Sequence, residues 1–194
     1  MATTTRKRSS KKEEILKTAA RMFREKGYAG TSMRDLAEKI GIEAASLYNH
    51  IHSKSEILEE IIFSIARDCR EQLDNMDPAG TSLQKIESLI RFHTKMMIDH
   101  FESYSVMVSE WMHLDEEKLG EFVSERRRYV KKIESIVQQG IDNQEFKPVL
   151  PYVVVLNILS SVRGLEFWQK SAKTHSAEIM EENMVQHLIG GLKL

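Results

Sequence analysis

The chain is poor in the residues that cross-link and punctuate folds. Cys69 is the one cysteine among 194 residues, so no intramolecular disulfide or cysteine-rich metal cage can form. Such usage suits a reducing compartment and points to the cytoplasm. There are only three prolines and nine glycines, and alternation of apolar and polar residues is nearly absent. Both features argue against a sheet protein. No apolar run reaches the roughly 18 residues of a membrane span, so no membrane partner is expected. The basic start is not followed by an apolar stretch, so no signal peptide is expected either. The seven histidines are scattered, without an HExxH pair. There is no GxSxG and no glycine-rich phosphate loop. The sequence therefore predicts no catalytic residue, no metal site and no cofactor, and does not read as an enzyme.

What is present is helical spacing. Apolar residues recur at three- and four-residue steps almost throughout, which predicts an all-α chain of about nine helices. Charge is also unevenly placed. Residues 1–54 hold 12 Lys+Arg against 6 Asp+Glu, and residues 55–194 hold 16 against 23, for a net charge of −1. A basic front and an acidic back suit a nucleic-acid module joined to a domain that does not adhere to DNA.

The most informative stretch is 31–58, TSMRDLAEKIGIEAASLYNHIHSKSEIL. Met33, Leu36, Ala37 and Ile40 share one helical face. Gly41 follows and can take the left-handed conformation that ends a helix. A second short helix is predicted over 43–50, with Ala45, Leu47 and Ile51 available to pack inward. Ala44, Ser46, Tyr48, Asn49 and His50 then face outward. Two helices around a glycine turn form a helix-turn-helix, whose second helix fits the major groove of DNA. Ala44, Ala45 and Ser46 are small enough for the backbone to approach base edges. Asn49 donates and accepts, and His50 can donate. Tyr48 and Lys54 are phosphate-type contacts. Ser53 is a helix N-cap with Glu56 as its capping-box partner. Spacing alone also fits an ordinary helical hairpin without a ligand.

Thr31-Ser32-x-Arg34-Asp35-Leu36-Ala37, Gly41-Ile42, Ser46-Leu47-Tyr48-Asn49-His50-Ile51 and Ser53-Lys54-x-Glu56-Ile57-Leu58 together resemble the DNA-binding domain of the tetracycline-repressor-like (TetR/AcrR) family. The likeness runs without a gap from about Glu13 to Leu58. Ile51 stands where the family usually has Phe, and Glu43 where it often has Ser or Thr; a carboxylate there should stay off the DNA backbone. The resemblance implies a ligand-responsive repressor that binds a pseudo-palindromic operator in double-stranded DNA. It also implies a homodimer formed through the last two long helices. Thr31, Ser32, Arg34, Ala44, Ala45, Ser46, Tyr48, Asn49, His50 and Lys54 are then the expected DNA-facing residues. The remaining alternative is a helical protein-interaction or structural module whose helix-turn-helix binds no specific operator.

Around this unit, residues 1–12 form a basic segment with Arg6, Lys7, Arg8, Lys11 and Lys12. It reads equally as an arm on DNA and as a solubilising tail. A first helix is expected over 12–26 and a long fourth over 54–75, which would link an N-terminal domain, 1–53, to a C-terminal ligand-binding and dimerisation domain, 54–194. After a break at 77–80, helices are predicted over 82–101, 104–114, 116–143, 148–170 and 176–193. The helix over 148–170 is apolar nearly all round and carries the small residues Ser160, Ser161 and Gly164. A monomer of this size can hardly cover it, which points to an oligomer interface. Arg126, Arg127, Arg128, Lys131 and Lys132 alternate with glutamates and read as a solvated face. Phe92, Met96, Met97, Phe101, Tyr104, Met107, Trp111 and Met112 concentrate flexible and aromatic side chains. His93 and Tyr129 add polar handles. Composition alone fits a dry core at least as well as a pocket. The resemblance implies a ligand pocket in the space bounded by helices 4 to 8, and these residue types make His93, Met97, Phe101, Tyr104, Met107, Trp111 and Tyr129 its expected lining. Its occupant would be an apolar effector such as an acyl thioester, a fatty acid or a hydrophobic drug.

Overall fold

The computed structural model describes residues 10–171 and 175–194; Arg6, Lys7 and Arg8 of the basic segment lie outside the described residues. The chain forms α1 (Lys11–Lys26), α2 (Met33–Ile40), α3 (Ala44–Tyr48), α4 (Lys54–Asp74), α5 (Ser82–Asp99) and α6 (Phe101–Ser109). A 3-10 turn, Trp111–His113, leads into α7 (Glu116–Asp142), α8 (Pro151–Lys170) and α9 (Ala177–Gly190). The fold is all-α: among the described residues the nearest thing to a sheet is an isolated bridge between Phe146 and Lys193.

Caps set most of the starts. Ser10 with Glu13, Ser32 with Asp35 and Thr81 with Gln84 form reciprocal capping boxes, satisfying backbone N–H groups that the first turn leaves unpaired. At α4 the expected box is half made. The Glu56 N–H donates to Ser53 Oγ at 3.0 Å, but the Glu56 carboxylate accepts from the His52 N–H at 2.7 Å instead. Several boundaries differ from expectation. The helix foreseen from 148 starts at Pro151, because Leu150 before the proline is held extended (φ −75°, ψ 115°). The segment foreseen as 104–114 starts at Phe101 and ends at Ser109. His100 leaves helical geometry (φ −120°, ψ 35°) and separates α5 from α6 with no glycine or proline to mark the break.

Packing is continuous from end to end. Ile15, Ala19, Phe23, Leu36, Leu47 and Ile51 close the N-terminal bundle together with Ile57, Leu58, Ile61 and Ile62 of α4. Val106, Leu114 and Phe122 from the C-terminal half belong to the same cluster. Further along α4, Ile65 and Cys69 pack with Met97 and Tyr104, and Leu73 packs with Ile86, Ile90 and Ile133. One helix thus runs through all three clusters. α5 is tied to α9 by Arg91, which bonds Glu87 at 2.8 Å, Glu181 at 3.2 Å and Glu182 at 2.9 Å. At Gly140 a Cβ would collide with the Phe146 ring and Ser82, so only glycine lets α7 come this close. One face of α8 remains open: Tyr152, Val153 and Leu156 are about half exposed and Phe167 is 79% exposed.

Candidate functional site: a helix-turn-helix head and an internal cavity

The turn between α2 and α3 is built on Gly41, at φ 78° and ψ 35°, whose N–H donates to Ala37 O at 3.0 Å and Glu38 O at 3.1 Å. α3 has only five residues. Leu47 and Ile51, both fully buried, fix it to the bundle. Ala44, Tyr48, Asn49 and His50 are exposed, and Ser46 is half-buried. Ala45 also points outward, against the expectation that it packs inward. It lies two residues from Leu47, about 200° around the helix, so both cannot face the core.

Ser32 and Arg34 are exposed at the start of α2. Thr31 is not available in the same way. It is 2% exposed, and its hydroxyl donates to Gly27 O at 3.1 Å, so its side chain braces the turn from within. Lys54 also has a structural task. Its ammonium donates to Tyr28 O at 2.9 Å and Thr31 O at 2.8 Å, and lies 4.3 Å from the centre of the Tyr28 ring. An ammonium has three N–H groups, so one remains for an outside acceptor. The segment 29–35, Tyr48 and Lys54 line one shallow groove beside α3.

Tyr28 also meets the C-terminal half. Its backbone N–H donates to the Glu110 carboxylate at 3.1 Å, and its ring stacks on His113 at 5.3 Å. Glu110 lies between α6 and the 3-10 turn. Met107 and Trp111, on either side of Glu110, line a cavity of about 430 Å³ bounded by α4, α5, α6, α7 and α8.

His93, Tyr104, Met107, Trp111 and Tyr129 line this cavity. Met97 and Phe101 do not. Met97 is buried in the core, and Phe101 packs toward α1, where the Arg24 guanidinium lies 4.8 Å from its ring centre. Composition singled out this stretch but could not say which side of α5 and α6 faces the cavity. It missed Cys69, Val155 and Leu159 on the wall and Arg126, Arg128 and Arg163 around it. The i, i+4 pair Val155 and Leu159 on an all-apolar helix was the available signal.

The polar centre of the wall is His93. Its Nδ1 lies 2.8 Å from the Tyr104 hydroxyl and its Nε2 lies 2.6 Å from the Tyr129 hydroxyl. Burial lowers the imidazole pKa to about 4, so the ring is neutral near pH 7. Burial likewise raises both phenols and pushes the Cys69 thiol up to about 12. Arg70 pairs with Glu125 at 2.8 Å and Lys132 with Asp74 at 2.6 Å. Among the described residues no carboxylate pairs with Arg126, Arg128 or Arg163, although Arg126 lies 5.6 Å from the Trp111 ring centre. No group of three His, Cys, Asp or Glu among the described residues is placed to hold a metal ion. No described helix is long and apolar enough to cross a membrane.

Two family models match the chain. Residues 15–61 match the model for bacterial regulatory proteins of the tetR family, and residues 79–192 match the tetracyclin repressor-like C-terminal domain. The HTH-type transcriptional repressor KstR2 of Mycolicibacterium smegmatis is 26% identical over 191 residues, covering 95% of this chain and 91% of the relative. The structure of the ketosteroid transcriptional regulator KstR2 of Mycobacterium tuberculosis superposes with a TM-score of 0.88 at 22% identity, covering 97% of each chain. AibR in complex with isovaleryl coenzyme A and operator DNA superposes with a TM-score of 0.79 at 24% identity, covering 92% of this chain and 97% of that one. At such identities the structural likeness speaks for the fold.

Proposed function

Because the chain belongs to the tetracycline-repressor-like family of bacterial transcriptional regulators, we propose that it is a homodimeric repressor released from its operator by an acyl thioester. The observation that carries this reading is the shared corner between cavity and head. Met107 and Trp111 line the cavity, while Glu110 between them holds the Tyr28 N–H. The carbonyls of Tyr28 and Thr31 in turn hold Lys54 beside the recognition helix. A ligand that fits only one placement of this corner shifts the head by its differential affinity for the two states.

In this reading residues 1–53 read DNA, and residues 54–194 sense the effector and dimerise, with α4 shared between them. Ala44, Ala45, Ser46, Asn49 and His50 approach base edges. Ser32, Arg34, Tyr48 and the free N–H of Lys54 hold phosphates. Thr31 acts indirectly, through the carbonyl that positions Lys54. The effector's acyl body occupies the cavity, and its phosphates meet Arg126, Arg128 and Arg163, whose charges have no carboxylate partner among the described residues. The isovaleryl coenzyme A bound by AibR supports that class. The dimer forms on the open face of α8 with α9. A Cβ at Gly164 meets nothing within 4 Å, which leaves space for a partner helix. The protein acts in the cytoplasm and catalyses no reaction.

The test is fluorescence anisotropy on the duplex upstream of the protein's own gene. Octanoyl-coenzyme A should weaken binding several-fold to about a hundredfold. Unchanged affinity across acyl thioesters, fatty acids and hydrophobic drugs would remove the sensing half of the proposal.

A further inference from the structure

The cavity wall carries a hydrogen-bond arrangement that cannot complete itself. A neutral imidazole has one N–H and one lone pair. His93 faces a tyrosine hydroxyl at each nitrogen, Tyr104 at 2.8 Å and Tyr129 at 2.6 Å. One tyrosine therefore donates its O–H to the ring. The other accepts the ring N–H, and its own hydroxyl hydrogen is left over. Among the described residues neither hydroxyl has a further protein acceptor. His93 and Tyr104 are 2% and 3% exposed, and all three residues line the cavity. A leftover O–H on a buried part of the cavity wall is a donor waiting for an acceptor. Exchange of the ring tautomer moves that donor from one tyrosine to the other, so the relay can serve an acceptor on either side of His93.

We propose that Tyr104 and Tyr129, paired through His93, form the specificity contact of the cavity and donate one hydrogen bond to a carbonyl oxygen of the effector. The inference rests on the cavity being the effector site and adds the group that the site demands. His93 acts as a positioning residue: it holds the two hydroxyls and sets which one is free. The relay is sensitive to the acceptor itself, because a ligand of the same shape without one leaves the buried donor unpaired.

The experiment compares octanoyl-coenzyme A with S-octyl-coenzyme A, the thioether that lacks the carbonyl. Binding is read by calorimetry and by fluorescence of Trp111, which lines the cavity. The parent protein should bind the thioester about tenfold or more tightly than the thioether. Tyr104→Phe and Tyr129→Phe keep the ring volumes and should each reduce that ratio. The double variant should bring it close to one, with the thioether bound at least as tightly as by the parent because no donor is left unpaired. Equal binding of both probes by the parent, or a preference that survives in the double variant, overturns the relay and leaves the cavity reading standing. Binding of neither probe overturns the cavity reading and the relay with it. Loss of both probes in the double variant alone, with the single variants unchanged, also counts against the relay, because it marks the tyrosines as packing rather than as donors.

Discussion

Lys54 ties a turn together and is proposed to hold a DNA phosphate as well. Two of its three N–H groups close the turn between α1 and α2 through the carbonyls of Tyr28 and Thr31, and the residue lines the groove that Tyr48 also lines. Lys54→Ala should therefore lower stability by about 1–2 kcal/mol in thermal melts. It should also make the salt dependence of DNA binding shallower by about one unit. A change in DNA binding with no change in melting temperature would show that the tether contributes nothing. His93 gives a second expectation, for stability against pH. Its pKa falls from 6.5 to about 4 on folding. Between those values the unfolded chain binds a proton that the folded chain refuses. The stabilisation is complete above pH 6.5 and is lost as pH falls toward 4. Denaturant unfolding should show the parent losing about 2 kcal/mol more than His93→Gln between pH 7 and pH 5. At this scale the residue types were legible and the directions were not. Thr31 and Phe101 have the chemistry of a site, but the Thr31 hydroxyl is bonded to a backbone carbonyl and the Phe101 ring packs against an arginine.

Between elements, the joint that matters is the one between α6, the 3-10 turn and α1. Glu110 reaches from the end of α6 to the Tyr28 N–H, and His113 stacks on the same tyrosine. Glu110→Ala should leave effector affinity and unliganded operator affinity nearly unchanged. It should remove a large part of the coupling between them, which is typically about 1–3 kcal/mol. Anisotropy with and without octanoyl-coenzyme A measures this directly; full release in the variant would assign the coupling to α4 alone. The sequence announces most helices through their caps and their 3.6-residue period. It does not announce the break at His100 that turns α6, because no glycine or proline stands there and tertiary packing decides it. Nor does it announce a bond between residues 82 positions apart.

For the molecule as a whole, the open α8 face is a feature that one chain leaves unfinished. Phe167 is 79% exposed and Ile179 is 51% exposed, so replacing both with glutamate should leave the monomer folded while abolishing the proposed dimer. Sedimentation should then show monomers, with operator affinity strongly reduced because two heads no longer bind together. A dimer that persists in the double variant would place the interface elsewhere. The apolar circumference of this helix was readable from sequence because an apolar helix must be covered on every side. The continuity of the head with α6 was not, since the composition shift near residue 54 suggests a boundary where the packing has none. The most direct test of the whole account is selection of bound duplexes from a random-sequence library by the purified full chain. The account predicts enrichment of one pseudo-palindrome whose half-sites lie about one helical turn, ~34–36 Å, apart. Recovery of no preferred sequence, or of a single half-site without a symmetric mate, would contradict it.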